Sequence, residues 1–319
     1  MRDINSSLKQ SIIDQLLSSL PRVEYSKLEP VQPNLHLQQY LAFYHLPEGD
    51  KNLTLHAGII PIQDEQLVVM AWEPSTSKET AVIVHGYLDH IGLYSHLIKH
   101  LLDRQFTVVC FDLPGHGLST GAKGHIHTFD SYVDALGQVL DIARTMFPGP
   151  LHGIGQSTGG AILAKHLLDH QQPGYPFTSL NLLAPLLHPK HWWWNRWVFK
   201  LTGRFRQSIK RSFRSNSSDH NFLYFLRYVD PFQPLQLPLT WVGAMAEWID
   251  ELETAENNLF PINLIQGDCD TTLDWRYNLN IYRKAFPAMS IHIVKRAGHH
   301  LVNESKPLRD QVFAALQFN

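Results

Sequence analysis

The chain has 319 residues, 44% hydrophobic and 18% charged, with a formal net charge of −2. That places it among globular proteins able to bury a large core, and leaves no whole-molecule charge footprint for nucleic acid. Its two cysteines do not make a disulfide framework, and its nineteen histidines turn the net charge positive below about pH 6.5.

At the start, Ile4, Leu8, Ile12, Leu16 and Leu20 recur at helical spacing and Pro21 ends the run. The spacing predicts a helix docked on the body; its polar face is not basic, as a membrane-surface anchor would need. No basic and apolar leader with a cleavage site is present, and no run of eighteen apolar residues occurs, so the expected compartment is the cytoplasm, without a membrane span. Residues 21–53 are punctuated by proline, with a short helix expected near Leu35–Tyr44. Thr54–Ile60 and Gln66–Trp72 read as a hairpin around Pro61–Glu65.

From there strand and helix alternate. Ala81–His85 is an apolar run suited to burial on both faces, followed by a helix at Ile91–Asp103 and a strand at Phe106–Phe111. A helix at Phe129–Phe147, an apolar strand entering Gly153-Ile154-Gly155, an Ala/Leu-rich helix from Ala161 and a strand at Ser179–Ala184 follow. Between Pro185 and about Glu256 the alternation gives way to aromatic, basic and proline-rich helical pieces. It resumes with a strand at Pro261–Gln266, a helix at Asp274–Phe286, a strand at Met289–Val294 and a helix at Leu301–Gln317. Repeated βα units imply a mostly parallel sheet with helices on both faces. The interruption reads as a helical lid over the carboxyl edge, where such sheets bind ligands. The expected organisation is an N-terminal extension (1–53), a core in two parts (54–184 and 257–319) and the lid (185–256). Cys110 and Cys269 fall in or beside expected core strands, where a thiol behaves as a small buried hydrophobe.

The chemistry centres on Gly155-Gln156-Ser157-Thr158-Gly159, between a strand and a helix. That context holds a serine on a sharp exposed turn, with glycines where the neighbouring backbones crowd. A serine hydroxyl needs a base and a group that orients the base. The loop after the last strand offers His299 and His300; the loop after the preceding strand offers Asp268, Asp270 and Asp274. Backbone donors for an oxyanion would come from Thr158, after the serine, and from Tyr87, after the first buried strand. Asp112 reads as a loop-fixing residue, and His85 and His116 as hydrogen-bonding supports. No metal-ligand spacing such as HExxH occurs, so neither metal nor cofactor is expected.

His85-Gly86-Tyr87-Leu88-Asp89-His90, Tyr94, Asp112-Leu113-Pro114-Gly115-His116-Gly117-Leu118-Ser119 and Gly155-Gln156-Ser157-Thr158-Gly159-Gly160 resemble the monoglyceride lipase and lysophospholipase branch of the α/β-hydrolase family. The likeness runs from about Thr54 to the end and is weak in the lid. It implies the α/β-hydrolase fold, with Ser157 as nucleophile, Asp270 as acid and His299 as base, five residues before Glu304. Asp89 departs from the family's glutamate before His90. The implied reaction is cleavage of a monoacyl lipid ester, a monoglyceride or a lysophospholipid, through an acyl-serine. A serine aminopeptidase on the same residues is the alternative, and would need an acidic cluster such as Glu247–Glu256 to grip an α-ammonium. A non-catalytic binding protein is the third reading, although all three triad positions are filled.

The lid opens with Trp192, Trp193, Trp194 and Trp197, and Lys190 to Arg214 holds eight Lys/Arg and no Asp/Glu. Such a mixture suits a water–lipid boundary, giving peripheral membrane contact. Equally, the tryptophans could wall an acyl pocket while the bases pair with Glu247–Glu253.

Overall fold

The computed structural model describes residues 8–24, 27–62, 64–147, 149–170, 174–194, 196–197 and 206–318. Ile4 and residues 198–205 of the tryptophan-rich stretch lie outside them.

The N-terminal part comprises α1 (Gln10–Ser19), β1 (Glu29–Pro30) and α2 (Leu35–Phe43), the last capped by the Asn34 side chain on the His36 and Leu37 amides. The hairpin strands are β2 (Leu53–Ile62) and β3 (Glu65–Pro74). Then come β4 (Thr80–Val84), α3 (Ser95–Asp103), β5 (Thr107–Phe111), α4 (Asp130–Met146), β6 (Leu151–Gln156), α5 (Thr158–Asp169) and β7 (Ser179–Leu183). The intervening segment holds β8 (Ser208–Lys210), α6 (His220–Tyr228), β9 (Gln236–Pro238) and α7 (Leu239–Thr254). Finally, β10 (Ile262–Gly267), α8 (Trp275–Ala285), β11 (Ser290–Val294) and α9 (Lys306–Ala314) complete the sheet and its cover.

Nine strands form one sheet in the order β1-β2-β3-β5-β4-β6-β7-β10-β11. The first three and the β3/β5 contact pair antiparallel; from β5 onward every pair is parallel. This is the α/β-hydrolase fold. Central strands are buried throughout because helices cover both faces. On β4, Val82 and Val84 enter the core under α4, α5, α7 and α8, while Ala81 and Ile83 enter the one under α1, α2, α3 and α9. Each fully buried Val or Ile there contributes about 1.5–3 kcal/mol. The chain leaves β4 toward β5 on one side and reaches β6 on the other, so a crevice opens at that change of direction.

Several elements differ from expectation. The helix expected at Leu301–Gln317 is broken: a 3₁₀ turn covers Leu301–Asn303, and α9 starts at Lys306 with Pro307 in its first turn. Proline suits that position, where its missing N–H would have no partner, while Glu304 turns inward. Ile91–Tyr94 is likewise a 3₁₀ turn before α3. The intervening segment is not purely helical, since β8 and β9 pair as an antiparallel ribbon. Cys110 is buried, but Cys269 is exposed, because β10 ends at Gly267 and residue 269 lies in the turn beyond it. Within residues 21–53, β1 extends the sheet edge and α2, the short helix expected there, packs in the second core.

Candidate active site

Because β4, β6, β10 and β11 run parallel, the loops after them share one rim. Ser157 ends β6 with φ 54° and ψ −112°, a conformation that costs about 1–3 kcal/mol in a non-glycine residue. The turn is this tight because neighbours crowd it. A Cβ on Gly159 would stand 1.9 Å from the Val84 carbonyl oxygen, and one on Gly155 would stand 2.4 Å from the Gly159 carbonyl. Ser157 is partly exposed between buried neighbours, which leaves its hydroxyl open to a ligand.

His299 Nε2 lies 2.9 Å from Ser157 Oγ, and His299 Nδ1 lies 2.7 Å from Asp270 Oδ2. A buried carboxylate at Nδ1 places the ring proton there and leaves Nε2 to accept from the serine. Asp270 also accepts from Gln266 Nε2 at 3.1 Å and from the Thr272 and Leu273 amides at 2.7 and 3.0 Å. Burial pushes its carboxyl up, but His299 and these amides outweigh burial and hold it below the ordinary range. It is therefore ionised at neutral pH.

The rival candidates lie elsewhere. Asp268 accepts from the Arg296 amide at 2.6 Å and ties two loops together. Asp274 is the residue before α8. His300 Nε2 stands 3.1 Å from Asp89 Oδ2, on the side of the Tyr87 turn. Burial pushes Asp89 up, yet His300 and the Tyr94 hydroxyl hold it well below the usual carboxylate range. The shorter acid at position 89 thus has its own imidazole partner.

The turn after β4 runs against the serine: a Cβ on Gly86 would be 3.5 Å from Ser157 Cβ. The Gly86 carbonyl accepts from His85 Nδ1 at 2.7 Å and from the Asp89 amide at 3.1 Å. Since a peptide is planar, pinning that carbonyl fixes the direction of the Tyr87 N–H. Among the described residues, neither the Tyr87 nor the Thr158 N–H has an acceptor. The Tyr87 ring stacks on Trp241 at 3.7 Å, and its hydroxyl donates to the Gly124 carbonyl.

His85 accepts from the Leu113 amide at 2.9 Å through Nε2, and burial lowers its pKa to about 3. His116 donates to the Pro114 carbonyl, and burial lowers it to about 4. Both are neutral supports. Asp112 accepts from the Ile91 and Leu118 amides, with burial raising it to about 6. Among the described residues, no three His, Cys, Asp or Glu side chains gather as a metal site.

Sequence reading did not give the partners of several polar groups around these loops. Gln156 donates to the His299 carbonyl at 2.9 Å and accepts from the Leu301 amide at 3.2 Å. The Asn216 carbonyl accepts from the His299 and His300 amides at 2.9 and 2.8 Å. Glu304, fully buried, accepts from the Gly298 amide at 2.5 Å, the Ser218 amide at 2.8 Å and the Ser218 hydroxyl. Gln156 and Asn216 carried no signal in the sequence beyond polarity, which marks most loop residues, and Glu304 was marked only through the family resemblance, without these partners.

The four tryptophans divide. Trp192 is buried in the first core, whereas Trp193, Trp194 and Trp197 are 63%, 66% and 56% exposed. In the acidic run, Asp250 pairs with Arg196, Glu251 with Lys165, and Glu253 with His188 and Tyr277. No helix among the described residues is long and apolar enough to cross a membrane.

The family model Hydrolase_4, described as serine aminopeptidase, S33, matches residues 75–306. Phospholipase YtpA of Bacillus subtilis is 34% identical over 116 residues, 36% of this chain and 44% of that protein. Human monoglyceride lipase is 32% identical over 139 residues, 40% of this chain and 45% of that protein. The chain thus spans less than half the length of these curated relatives. Among solved structures, a soluble variant of monoglyceride lipase from Saccharomyces cerevisiae, in complex with a substrate analog, aligns with a TM-score of 0.69. It is 19% identical and covers 80% of this chain and 91% of its own, a likeness of fold.

Proposed function

The chain belongs to the Hydrolase_4, serine aminopeptidase family of α/β hydrolases, and from that membership we propose a carboxylic ester hydrolase that acts on monoacyl lipids through an acyl-serine. The observation that carries the reading is the continuous Ser157–His299–Asp270 relay, at 2.9 and 2.7 Å, on a strained turn. In this reading His299 Nε2 takes the Ser157 proton as Oγ bonds to the ester carbonyl carbon. The Tyr87 and Thr158 amides hold the oxyanion, and Asp270 stabilises the imidazolium. As the carbonyl re-forms, the ester C–O bond breaks and the alkoxide leaves with the proton from His299. Water then repeats the sequence, releasing the acid and restoring Ser157.

The substrate class rests on two supports: the relatives named monoglyceride lipase and phospholipase, and the exposed Trp193, Trp194 and Trp197, whose indoles favour a lipid–water boundary. Aminopeptidase activity is the less supported reading, since Asp250, Glu251 and Glu253 are committed to partners rather than free to grip an α-ammonium.

The test is labelling with a fluorophosphonate, then a p-nitrophenyl ester chain-length series, with and without lipid vesicles, beside aminoacyl naphthylamides. Wild type should label and Ser157→Ala should not, with turnover of esters but not naphthylamides. Equal labelling of the two proteins would defeat the assignment.

A further inference from the structure

We propose that Gln233, in the segment between β7 and β10, is a positioning residue for the turn after β4: it holds residues 86–90 in the path that presents the Tyr87 amide. Its Nε2 donates to the Leu88 carbonyl at 3.1 Å and to Asp230 Oδ2 at 2.7 Å. Its Oε1 accepts from Arg211 Nη1 at 2.6 Å. A guanidinium can only donate, so the amide oxygen must face Arg211 and the nitrogen is turned onto the two acceptors.

The turn needs this support. Leu88 sits at φ 64°, a strained conformation for a residue with a side chain, which persists only where its surroundings impose it. Among the described residues, Gln233 is the donor to the Leu88 carbonyl. The far end of the turn is fastened to the same carboxylate, because His90 Nε2 lies 3.0 Å from Asp230 Oδ2. Asp230 Oδ1 accepts from the Tyr44 hydroxyl at 2.9 Å and from the Phe232 amide at 3.2 Å. His90, Asp230 and Tyr44 are buried, so the anchor is a rigid one. Arg211 in turn is set by the ribbon, its amide donating to the Leu235 carbonyl at 3.0 Å. The segment between β7 and β10 therefore sets the geometry of one loop at the rim.

The inference rests on the hydrolase reading, and the experiment separates the two. Wild type and Ser157→Ala are assayed first on p-nitrophenyl butyrate; if they do not differ, the hydrolase reading fails before any other variant is made. Gln233→Leu, which keeps the bulk and removes the amide, should lower kcat at least about tenfold, with KM within about twofold of wild type. Arg211→Met, which frees the amide to turn, should lower kcat less, and the double variant should lose no more than Gln233→Leu alone. Either single variant that melts as a folded protein and keeps kcat within about twofold overturns the proposal, as does a loss that appears in KM alone. Should Gln233→Leu not fold, Arg211→Met decides by the same limits.

Discussion

Ser157 is the residue whose setting could be read most directly, because the glycines two positions before and after it have a steric reason visible in sequence and measurable in space. Asp270 shows where loop placement alone stops, since only the family resemblance singled it out. Three acids share its loop, and only Asp270 has all its acceptor sites engaged by His299, Gln266 and two amides. Asp270→Asn would keep its oxygen for those amides and turn an NH₂ toward His299 Nδ1, favouring the wrong tautomer. The expected outcome is a fall in kcat of about 10⁴-fold with KM little changed, measured on p-nitrophenyl butyrate. Gln156 was passed over because a variable position inside a motif carries no mark of function. Its two bonds to the His299 loop exist only once β6 and that loop meet.

Among the elements, the parallel strands do the gathering and the inserted segment does the fastening. Glu304 joins the two: it is buried beneath the His299 loop and takes donors from Gly298 and from Ser218. Glu304→Ala leaves those part-buried amides without their charged acceptor. It should destabilise the fold by about 2–3 kcal/mol and lower kcat, read by urea unfolding and ester turnover. An unchanged unfolding midpoint would contradict that. The broken helix at Leu301–Asn303 has the same origin, since helical continuity across residue 304 would remove its carboxylate from these donors. Periodicity could not reveal this, for apolar spacing continues on both sides of the break.

At the scale of the whole molecule, two cores enclose several imidazoles in their neutral form. Burial lowers His85 to about 3, and His116 and His166 to about 4. With unfolded values near 6.5, these groups bind protons more tightly when the chain opens. Their stabilising contribution is complete above about pH 6.5 and is lost as pH falls through the folded values. His90 works in the opposite sense: burial alone would lower it, but Asp230 raises it, so its contribution is complete below about 6.5 and fades as pH rises through the raised value. Between pH 6.5 and pH 4 His90 is therefore constant, and the opposing group is Asp112, whose carboxyl, raised to about 6, takes up its proton in the fold first. Three imidazoles against that one carboxyl predict a Tm that falls from pH 6.5 to pH 4, with net proton uptake on unfolding in that range. A Tm flat between pH 7 and pH 5 would refute this balance.

Local pattern determined the strand and helix order of the alternating core, the tight turn at Ser157 and the loops in which its expected partners lie, since periodicity, glycine sterics and chain order are properties of the sequence itself. It did not give β1, the β8–β9 ribbon or the break at Leu301–Asn303. Among three acids in one loop, only the family resemblance pointed to Asp270; the tertiary structure set it beside His299, paired His300 with Asp89, exposed Cys269 and three of the four tryptophans, and brought Gln233 to Leu88. Those outcomes depend on which groups far apart in the chain come together in the fold, and such contacts, across 29 residues for Asp270 and His299 and 145 for Gln233 and Leu88, leave no period in the chain.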